Sequence, residues 1–232
     1  MVKLSDVEHQ VQCVTNFQDL VSTLFKGKVN AICWNRKLEG DFAEIINKLA
    51  LNENIVELHP DELNEMQLSE QGKLARETLL KDLEILTMQG ASPILNVIKA
   101  YDRDDNFPFF PTDVYSFHID RSTIPTDTFL CTYYGETSEI LPNEEAIQKV
   151  LIPELRDELK KIHNGPDSDF ESFLIEYFFD LHYLAKPEAN PISLGLGHMC
   201  RLAIDHPERN VLPCLHRAPK EKEGEKRLLL IC

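Results

Sequence analysis

Apolar and polar positions recur with two different periods along this chain. Up to about residue 110, apolar residues recur mostly every three or four positions, the spacing of amphipathic helices. Asp41 precedes one such segment and is predicted to cap a helix over 42–49. A longer helix is predicted over 63–88 and a single strand over 29–34. Residues 1–110 are therefore predicted to form a mainly helical supporting region.

After residue 110 the pattern changes to short apolar segments separated by Pro and Gly turns, which indicate strands. Two helices, over 144–162 with a bend at Pro153 and over 170–185, are predicted to interrupt the strands as an insertion at about 143–186. The chain is therefore predicted to be α+β, with its β core in residues 111–232. The predicted strands cover 113–118, 128–134, 136–141, 192–196, 199–204, 211–216 and 227–231.

Charge and composition exclude several classes of protein. Lys and Arg total 24 against 39 Asp and Glu, and the formal charge of −15 repels phosphate backbones, so neither a nucleic-acid partner nor an anionic membrane is expected. No apolar run reaches the roughly 18 residues of a membrane span, and the N-terminal segment has no apolar signal core. Six cysteines without a C-x-x-C pair predict reduced thiols, and together these features predict a cytoplasmic protein.

The candidate chemistry starts at His118-Ile119-Asp120. Residues two apart in a strand point to the same side, so His118 and Asp120 can face one metal ion. A second H-x-D at His59 contains Pro60, which is unfavourable in a strand ladder, and Asp61 is better interpreted as a helix cap. With His216 from a late strand, the first motif supplies two imidazoles and one carboxylate, the donor set of non-haem iron sites.

A cation follows His216 on the next predicted strand. Lys226 and Arg227 lie ten and eleven positions after it, beyond a turn at Gly224. Strand alternation allows only one of the two to face inward. Arg227 is preferred, because a guanidinium can bind the distal carboxylate of a dicarboxylate cosubstrate through two hydrogen bonds, and Lys226 is the alternative.

The segments HID, TFLCTYYGET, LHRAP, GEKR and LLLI resemble the motifs of an uncharacterised bacterial family over most of residues 110–232. More distantly, they resemble Fe(II)/2-oxoglutarate-dependent dioxygenases of the prolyl-hydroxylase-like type. The dioxygenase resemblance implies a double-stranded β-helix, that is, a jelly-roll or cupin-like core. It also implies Fe(II) on His118, Asp120 and His216, and 2-oxoglutarate on Arg227 or Lys226 with Tyr134 or Tyr133 beside it.

Three functions are compatible with these residues. The first is an oxygenase acting on an unknown small-molecule or protein substrate, with the insertion and residues 103–111 as candidate lids. The second is a zinc-binding accessory protein without turnover, because Cys214 shares a strand face with His216 and members of the uncharacterised family are associated with zinc-responsive genes. The third is a metal-free interaction module. Oligomeric state is left open.

Overall fold

The computed structural model describes residues 10–220, 222 and 224–232. This part of the chain is α+β, with two mostly antiparallel sheets and six α-helices, which confirms the predicted class. None of the helices in these residues is both long enough and apolar enough to cross a membrane. Most of the N-terminal segment considered for a signal core, residues 1–9, lies outside the described residues.

The described residues contain thirteen strands, with the helices placed between groups of them. In chain order the strands are β1 (Val11–Val14), β2 (Ala31–Trp34), β3 (Ile55–Glu57), β4 (Ile94–Ile98), β5 (Phe117–His118), β6 (Asp127–Tyr134), β7 (Glu139–Leu141), β8 (Ala146–Gln148), β9 (His182–Ala185), β10 (Ile192–Ser193), β11 (Met199–Ala203), β12 (Leu215–Arg217) and β13 (Arg227–Ile231). The helices are α1 (Phe17–Ser22), α2 (Phe42–Asn47), α3 (Pro60–Glu65), α4 (Glu70–Met88), α5 (Pro153–Ile162) and α6 (Phe170–Glu176).

The first part of the chain is built into the main sheet rather than laid beside it. The seven-stranded sheet has the order β1-β2-β11-β6-β13-β4-β3, and the six-stranded sheet has the order β10-β7-β12-β5-β9-β8. Thus β2 pairs with β11, and β4 pairs with β13, so four strands from before residue 110 join the larger sheet. The predicted division at residue 110 therefore does not separate two sheets, and the mainly helical description of 1–110 was incomplete.

Helix boundaries follow local capping chemistry. The side chain of Asp41 accepts a hydrogen bond from the Glu44 amide at 3.1 Å, as predicted. The helix predicted over 63–88 is instead two helices, and Ser69 caps the second by accepting from the Gly72 amide at 3.1 Å. The helix predicted from residue 144 begins only at Pro153, which suits a first turn because proline has no amide hydrogen to leave unpaired.

The prediction of a helix over 170–185 was wrong in its second half. Helix α6 ends at Glu176, and Phe178 adopts the left-handed conformation with φ of 60°, which breaks the helical path. The chain then enters β9, whose Tyr183 pairs with both Phe117 of β5 and Gln148 of β8. The two stretches predicted to be helices thus each add one strand, β8 and β9, to the sheet that carries His118.

The larger sheet separates two apolar layers. Its outer face packs on the helices, and Phe129, Cys131 and Tyr133 of β6 belong to that layer. Its inner face looks toward the six-stranded sheet, and Leu130 of β6 and Leu229 of β13 pack there against Ile140, Ile192 and Cys214. By strand alternation Thr128, Thr132 and Arg227 also lie on the inner face. The space between the sheets is therefore where polar inner-face residues meet.

One pair of cysteines departs from the expectation of reduced thiols. Cys33 of β2 and Cys200 of β11 are joined by a disulfide. They lie directly opposite each other in adjacent antiparallel strands, with Cα atoms 4.0 Å apart, and both are fully buried. The pairing depends on a strand register that spans 167 residues of chain, so cysteine spacing did not indicate it. The cytoplasmic location, which relied partly on reduced thiols, stays a prediction.

A buried ion pair fastens α4 to the outer face of the larger sheet. Arg36 donates to the Asp82 carboxylate at 2.8 Å, and the Tyr133 hydroxyl donates to the same carboxylate at 2.7 Å. The side chains of Arg36 and Asp82 are only 11% and 2% exposed. The Asp82 carboxylate is the acceptor for both Arg36 and Tyr133. The stability that this contact contributes to the fold therefore depends mainly on Asp82.

We predict that Asp82→Asn lowers the free energy of unfolding by about 3–5 kcal/mol, since it leaves the buried Arg36 charge unpaired. Tyr133→Phe removes one hydrogen bond to a charged group and should cost about 1.5–3 kcal/mol. Urea denaturation of both variants checks the order. If both variants lose an equally small amount of unfolding free energy, the ion pair does not hold α4 to the sheet.

Candidate metal centre

Strand pairing brings the two predicted imidazoles together. In the six-stranded sheet β12 lies beside β5, and the register places His216 directly opposite His118, with ring centroids 4.4 Å apart. Asp120 follows β5, and its carboxylate oxygens lie 3.9 Å from His118 Nε2 and 3.6 Å from His216 Nε2. One donor atom from each residue lies within 4.8 Å of the other two. The three residues predicted from remote segments thus form one cluster.

The spacing of these donors fits a metal ion. Two nitrogen or oxygen ligands at about 2.1 Å from one ion can be at most about 4.2 Å apart. The two distances from the Asp120 carboxylate, one from each oxygen, satisfy this limit, and the three donors together lie within 4.8 Å, so small side-chain movements would bring all three to one ion. Two imidazoles with one carboxylate suit ferrous iron and zinc alike, so the geometry supports a metal site without choosing the ion.

Hydrogen bonds to the backbone orient both rings. His118 Nδ1 lies 2.8 Å from the carbonyl oxygen of Ser116, and His216 Nδ1 lies 3.4 Å from that of Cys214. A ring nitrogen facing a carbonyl carries the hydrogen, so Nε2 keeps its lone pair. Both lone pairs are then on the nitrogen nearer Asp120, which is the arrangement that a metal ligand requires.

The protonation states also favour metal binding. Burial, followed by repulsion from His216, lowers the pKa of His118 to about 4. Burial opposes ionisation of Asp120, but His216, the hydrogen bond that Thr128 donates at 2.5 Å and His118 together lower the pKa of its carboxyl. At neutral pH, His118 is therefore neutral and Asp120 is charged, the forms that coordinate a cation.

Arg227 is a buried cation held by neutral oxygens. It is 8% exposed, and it donates to the Glu136 carbonyl at 2.7 Å, the Ser138 hydroxyl at 3.1 Å and the Tyr101 hydroxyl at 3.2 Å. No carboxylate in the described part of the chain forms an ion pair with it, and burial lowers its pKa. Since buried charges are normally paired, this guanidinium is suited to bind an anionic ligand.

The alternative cation, Lys226, lies outside this inner space. It precedes β13, is partly exposed, and lines a surface depression together with Lys99 and Lys220, which Arg227 also reaches. Between the two predicted cations, Arg227 is the one that alternation places on the inner face. Arg227 Nη2 is 3.5 Å from Thr132, four residues along β6 from Thr128, or about 13 Å in an extended strand. Along β6, Arg227 therefore lies at one end and Thr128, which bonds Asp120 of the metal cluster, lies at the other.

The two tyrosines named from the sequence have different positions. Tyr133 lies on the outer face, where it bonds Asp82 and stacks on Phe42 with ring centroids 5.5 Å apart, so it cannot reach a ligand between the sheets. The prediction that Tyr133 lies beside the cosubstrate is therefore wrong. Tyr134, at the end of β6, is 37% exposed. The tyrosine that touches Arg227 is Tyr101, just after β4, which was missed because β4 was not predicted.

Cys214 does not join the metal cluster. It is 1% exposed and packs in the apolar layer between the sheets. Burial, with the charge of Asp120, raises the pKa of its thiol, so the neutral form is favoured. The group of mutually close donors contains His118, Asp120 and His216 but not Cys214. The soft ligand expected for a zinc site is therefore absent from this group.

A third histidine, overlooked in the sequence, lines up with the other two. His182 of β9 pairs in register with His118, and their ring centroids are 5.8 Å apart. It is 5% exposed, and its Nδ1 has no hydrogen-bond partner among the described residues. The residue was hidden by the wrong helix prediction over 170–185, since only a strand would place it beside His118.

Acidification should destabilise the metal-free protein before carboxylates titrate. Burial lowers the pKa of His182 from 6.5 to about 3 and that of His118 to about 4, so the unfolded chain takes up protons that the folded chain refuses. The stabilisation is complete above about pH 6.5 and is lost as the pH falls toward the folded values, by up to about 1.4 kcal/mol per pH unit for each group. Urea denaturation between pH 7 and 5 should show a smaller slope for His182→Gln; an unchanged slope contradicts this prediction.

Thr128→Val should weaken divalent metal binding by about 10–100-fold, because it removes the hydrogen bond that orients the Asp120 carboxylate. Thr132→Val, on the same face of the same strand, is the matched control and should keep wild-type metal affinity. Titration with Co(II), followed by absorbance, measures both. Equal affinity of the two variants would remove Thr128 from the site.

Comparisons with protein-family models, curated proteins and solved structures returned no match for this chain. No relative therefore bears on the cluster or on the resemblance described from the sequence. The candidate site rests on the distances, burial and hydrogen bonds of this chain's own residues.

Proposed function

We propose that this protein is an Fe(II)/2-oxoglutarate-dependent oxygenase with a jelly-roll core and a substrate still to be identified. The observation that carries the proposal is the joint placement of two features. A cluster of two imidazoles and a carboxylate borders the space between the sheets, and Arg227, a buried cation without a carboxylate partner in the described residues, lies on the inner face at the other end.

The order of the strands supports the jelly-roll part of the proposal. From β5 onward the chain passes between the two sheets: β5 belongs to the smaller, β6 to the larger and β7 to the smaller, and β11, β12 and β13 alternate in the same way. Antiparallel chains that change sheet at successive strands are typical of jelly rolls. In this arrangement β8 and β9 extend the smaller sheet beyond β5 and form the edge built from the insertion.

The metal cluster and Arg227 would have separate roles in this function. His118, Asp120 and His216 would hold the iron by three donors, which leaves coordination positions for other ligands. Arg227 would bind the distal carboxylate of 2-oxoglutarate, with Tyr101 and Ser138 beside it. A bound ferrous ion with 2-oxoglutarate supplies oxidation by dioxygen coupled to decarboxylation of the cosubstrate. The residues of the chain would bind and orient the iron and 2-oxoglutarate and keep water away from them.

We predict that anaerobic Fe(II) and 2-oxoglutarate together give a visible charge-transfer absorbance with the wild-type protein. His216→Ala should abolish it, because two remaining donors hold the ion poorly. Inductively coupled plasma analysis after gel filtration should show the loss of bound iron. A His216→Ala variant that keeps both iron and absorbance would exclude this donor set.

Arg227→Met should raise the dissociation constant for 2-oxoglutarate at least tenfold and leave iron affinity nearly unchanged, because it removes the cation that binds the distal carboxylate. Lys226→Met, the neighbouring residue outside the inner space, is the matched control and should bind 2-oxoglutarate normally. Titration of the same absorbance measures both. The reverse result would make Lys226 the cosubstrate ligand.

Zinc binding without turnover is the competing function, because the same three donors suit zinc. Zinc binding alone would not explain why the buried Arg227 has no carboxylate partner in the described residues. Cys214 also lies outside the donor group, so it supplies no thiolate ligand for zinc. Tight zinc binding together with no formation of succinate from 2-oxoglutarate would favour it.

A further inference from the structure

The insertion and the loop before β5 pack into one unit, here called the cap (residues 102–112 and 143–186). Phe179 contacts Phe110 and Phe107 across the two segments, with ring centroids 5.0 and 5.3 Å apart. Val150 and Phe170 belong to the same apolar cluster. Through β9 the cap joins the smaller sheet next to His118. The residues at the base of the cap therefore face the candidate metal centre.

Lys149 is a buried cation in the cap. It is 8% exposed, and its ammonium donates to the Ser116 hydroxyl at 2.7 Å and to the Pro111 carbonyl at 2.8 Å, both neutral. No carboxylate in the described residues forms an ion pair with it. Its electrostatic neighbour Asp113 lies 3.9 Å from Arg103. The ammonium also lies 5.2 Å from the centre of the Phe110 ring, and because all three of these contacts are neutral its charge can still be matched by an anion.

His182 is placed beside Lys149 by the pairing of the neighbouring residues Tyr183 and Gln148 in β9 and β8, and it has an unsatisfied nitrogen. Its Nδ1 is buried without a hydrogen-bond partner, which is rare in folded proteins. The nearest acidic group on the loop, Asp104, is engaged by Thr112 and by the Asn106 side chain, the latter at 2.9 Å. Since neither group is matched within the described residues, the base of the cap has one charge and one nitrogen available for a ligand.

We propose that Lys149 and His182 form a subsite for an anionic oxygen group of the substrate, a carboxylate or a phosphate, on the side of His118 away from His216. The inference rests on the proposed function and adds the chemical class of its substrate. An anion there offsets the Lys149 charge, which a nearby metal dication would otherwise make more costly to bury. The imidazole of His182 donates the second hydrogen bond.

The subsite is separate from the one proposed for 2-oxoglutarate. Arg227 belongs to β13 in the larger sheet, whereas His182 belongs to β9 in the smaller one. Of the three proposed metal ligands, Asp120 has the most exposed side chain, at 32%, so solvent reaches the metal cluster at this residue. A substrate held at His182 by its anionic group presents its neighbouring carbon toward the metal centre, while the cosubstrate binds from the other end.

The test uses Co(II)-loaded protein and two probes, inorganic phosphate and ¹³C-labelled acetate. Paramagnetic broadening of the ³¹P or ¹³C signal reports an anion bound near the metal, and comparison of the probes identifies the preferred group. We expect Lys149→Met to raise the dissociation constant of the preferred anion at least tenfold and Lys149→Arg to restore much of the affinity. Lys161→Met, which removes an exposed cation of the cap, should leave this binding within about threefold of wild type.

Equal broadening in the wild type and Lys149→Met would mean that the anion binds the metal directly, which overturns the subsite. Loss of broadening in Arg227→Met but not in Lys149→Met would also overturn the subsite, because it would place the anion at Arg227. If Lys149→Met does not fold, His182→Phe replaces it and should also lose affinity. A metal-free arm follows the ¹⁵N shift of the His182 imidazole with phosphate, where a specific shift is expected and its absence counts against the subsite. If the protein binds the anion but binds no metal, the subsite is supported and the proposed oxygenase function is refuted.

Discussion

The candidate site depends on one register, that of β12 against β5. In that register His216 is opposite His118. Side chains alternate with a period of two, so a slip of one residue would bring Leu215 or Arg217 into the position of His216. The register is supported by apolar burial, because Leu215 is fully buried on the opposite face with Phe117 and Ile119. The packing of one face of the smaller sheet thus sets the metal donors on the other.

Uncompensated buried charge distinguishes the inner space from the rest of the fold. On the outer face, Arg36 is matched by Asp82, as structural ion pairs are. Arg227 and Lys149, which are equally buried, are held by hydroxyls and carbonyls instead. The chain has 15 more acidic than basic residues, so carboxylates are abundant enough to pair with these two cations. Asp113 lies near Lys149 and Glu136 near Arg227, but no carboxylate of the described residues forms an ion pair with either cation, and this is what points to anionic ligands.

Long or well-patterned elements could be predicted from the sequence. The strands β6 and β13, the helix α2 with its Asp41 cap, and the spacing of His118 and Asp120 follow from periodicity and capping chemistry. The strands β1, β3 and β4 were not predicted, because they are short and lie in a part of the chain whose apolar spacing mostly favours helices. The same limit hid β9, and with it His182, behind an apolar stripe that suits a helix equally well.

By itself the sequence determined which residues share a strand face: His118 with Asp120, and Arg227 opposite in phase to Lys226. These relations are local, since they follow from the backbone geometry of neighbouring residues. Only the tertiary structure decided that His216 meets His118, that Tyr133 faces the helices while Tyr101 reaches Arg227, and that Cys33 bonds Cys200. Such relations depend on which remote strands pair and in what register, and the burial of whole sheet faces, rather than any short motif, selects that pairing.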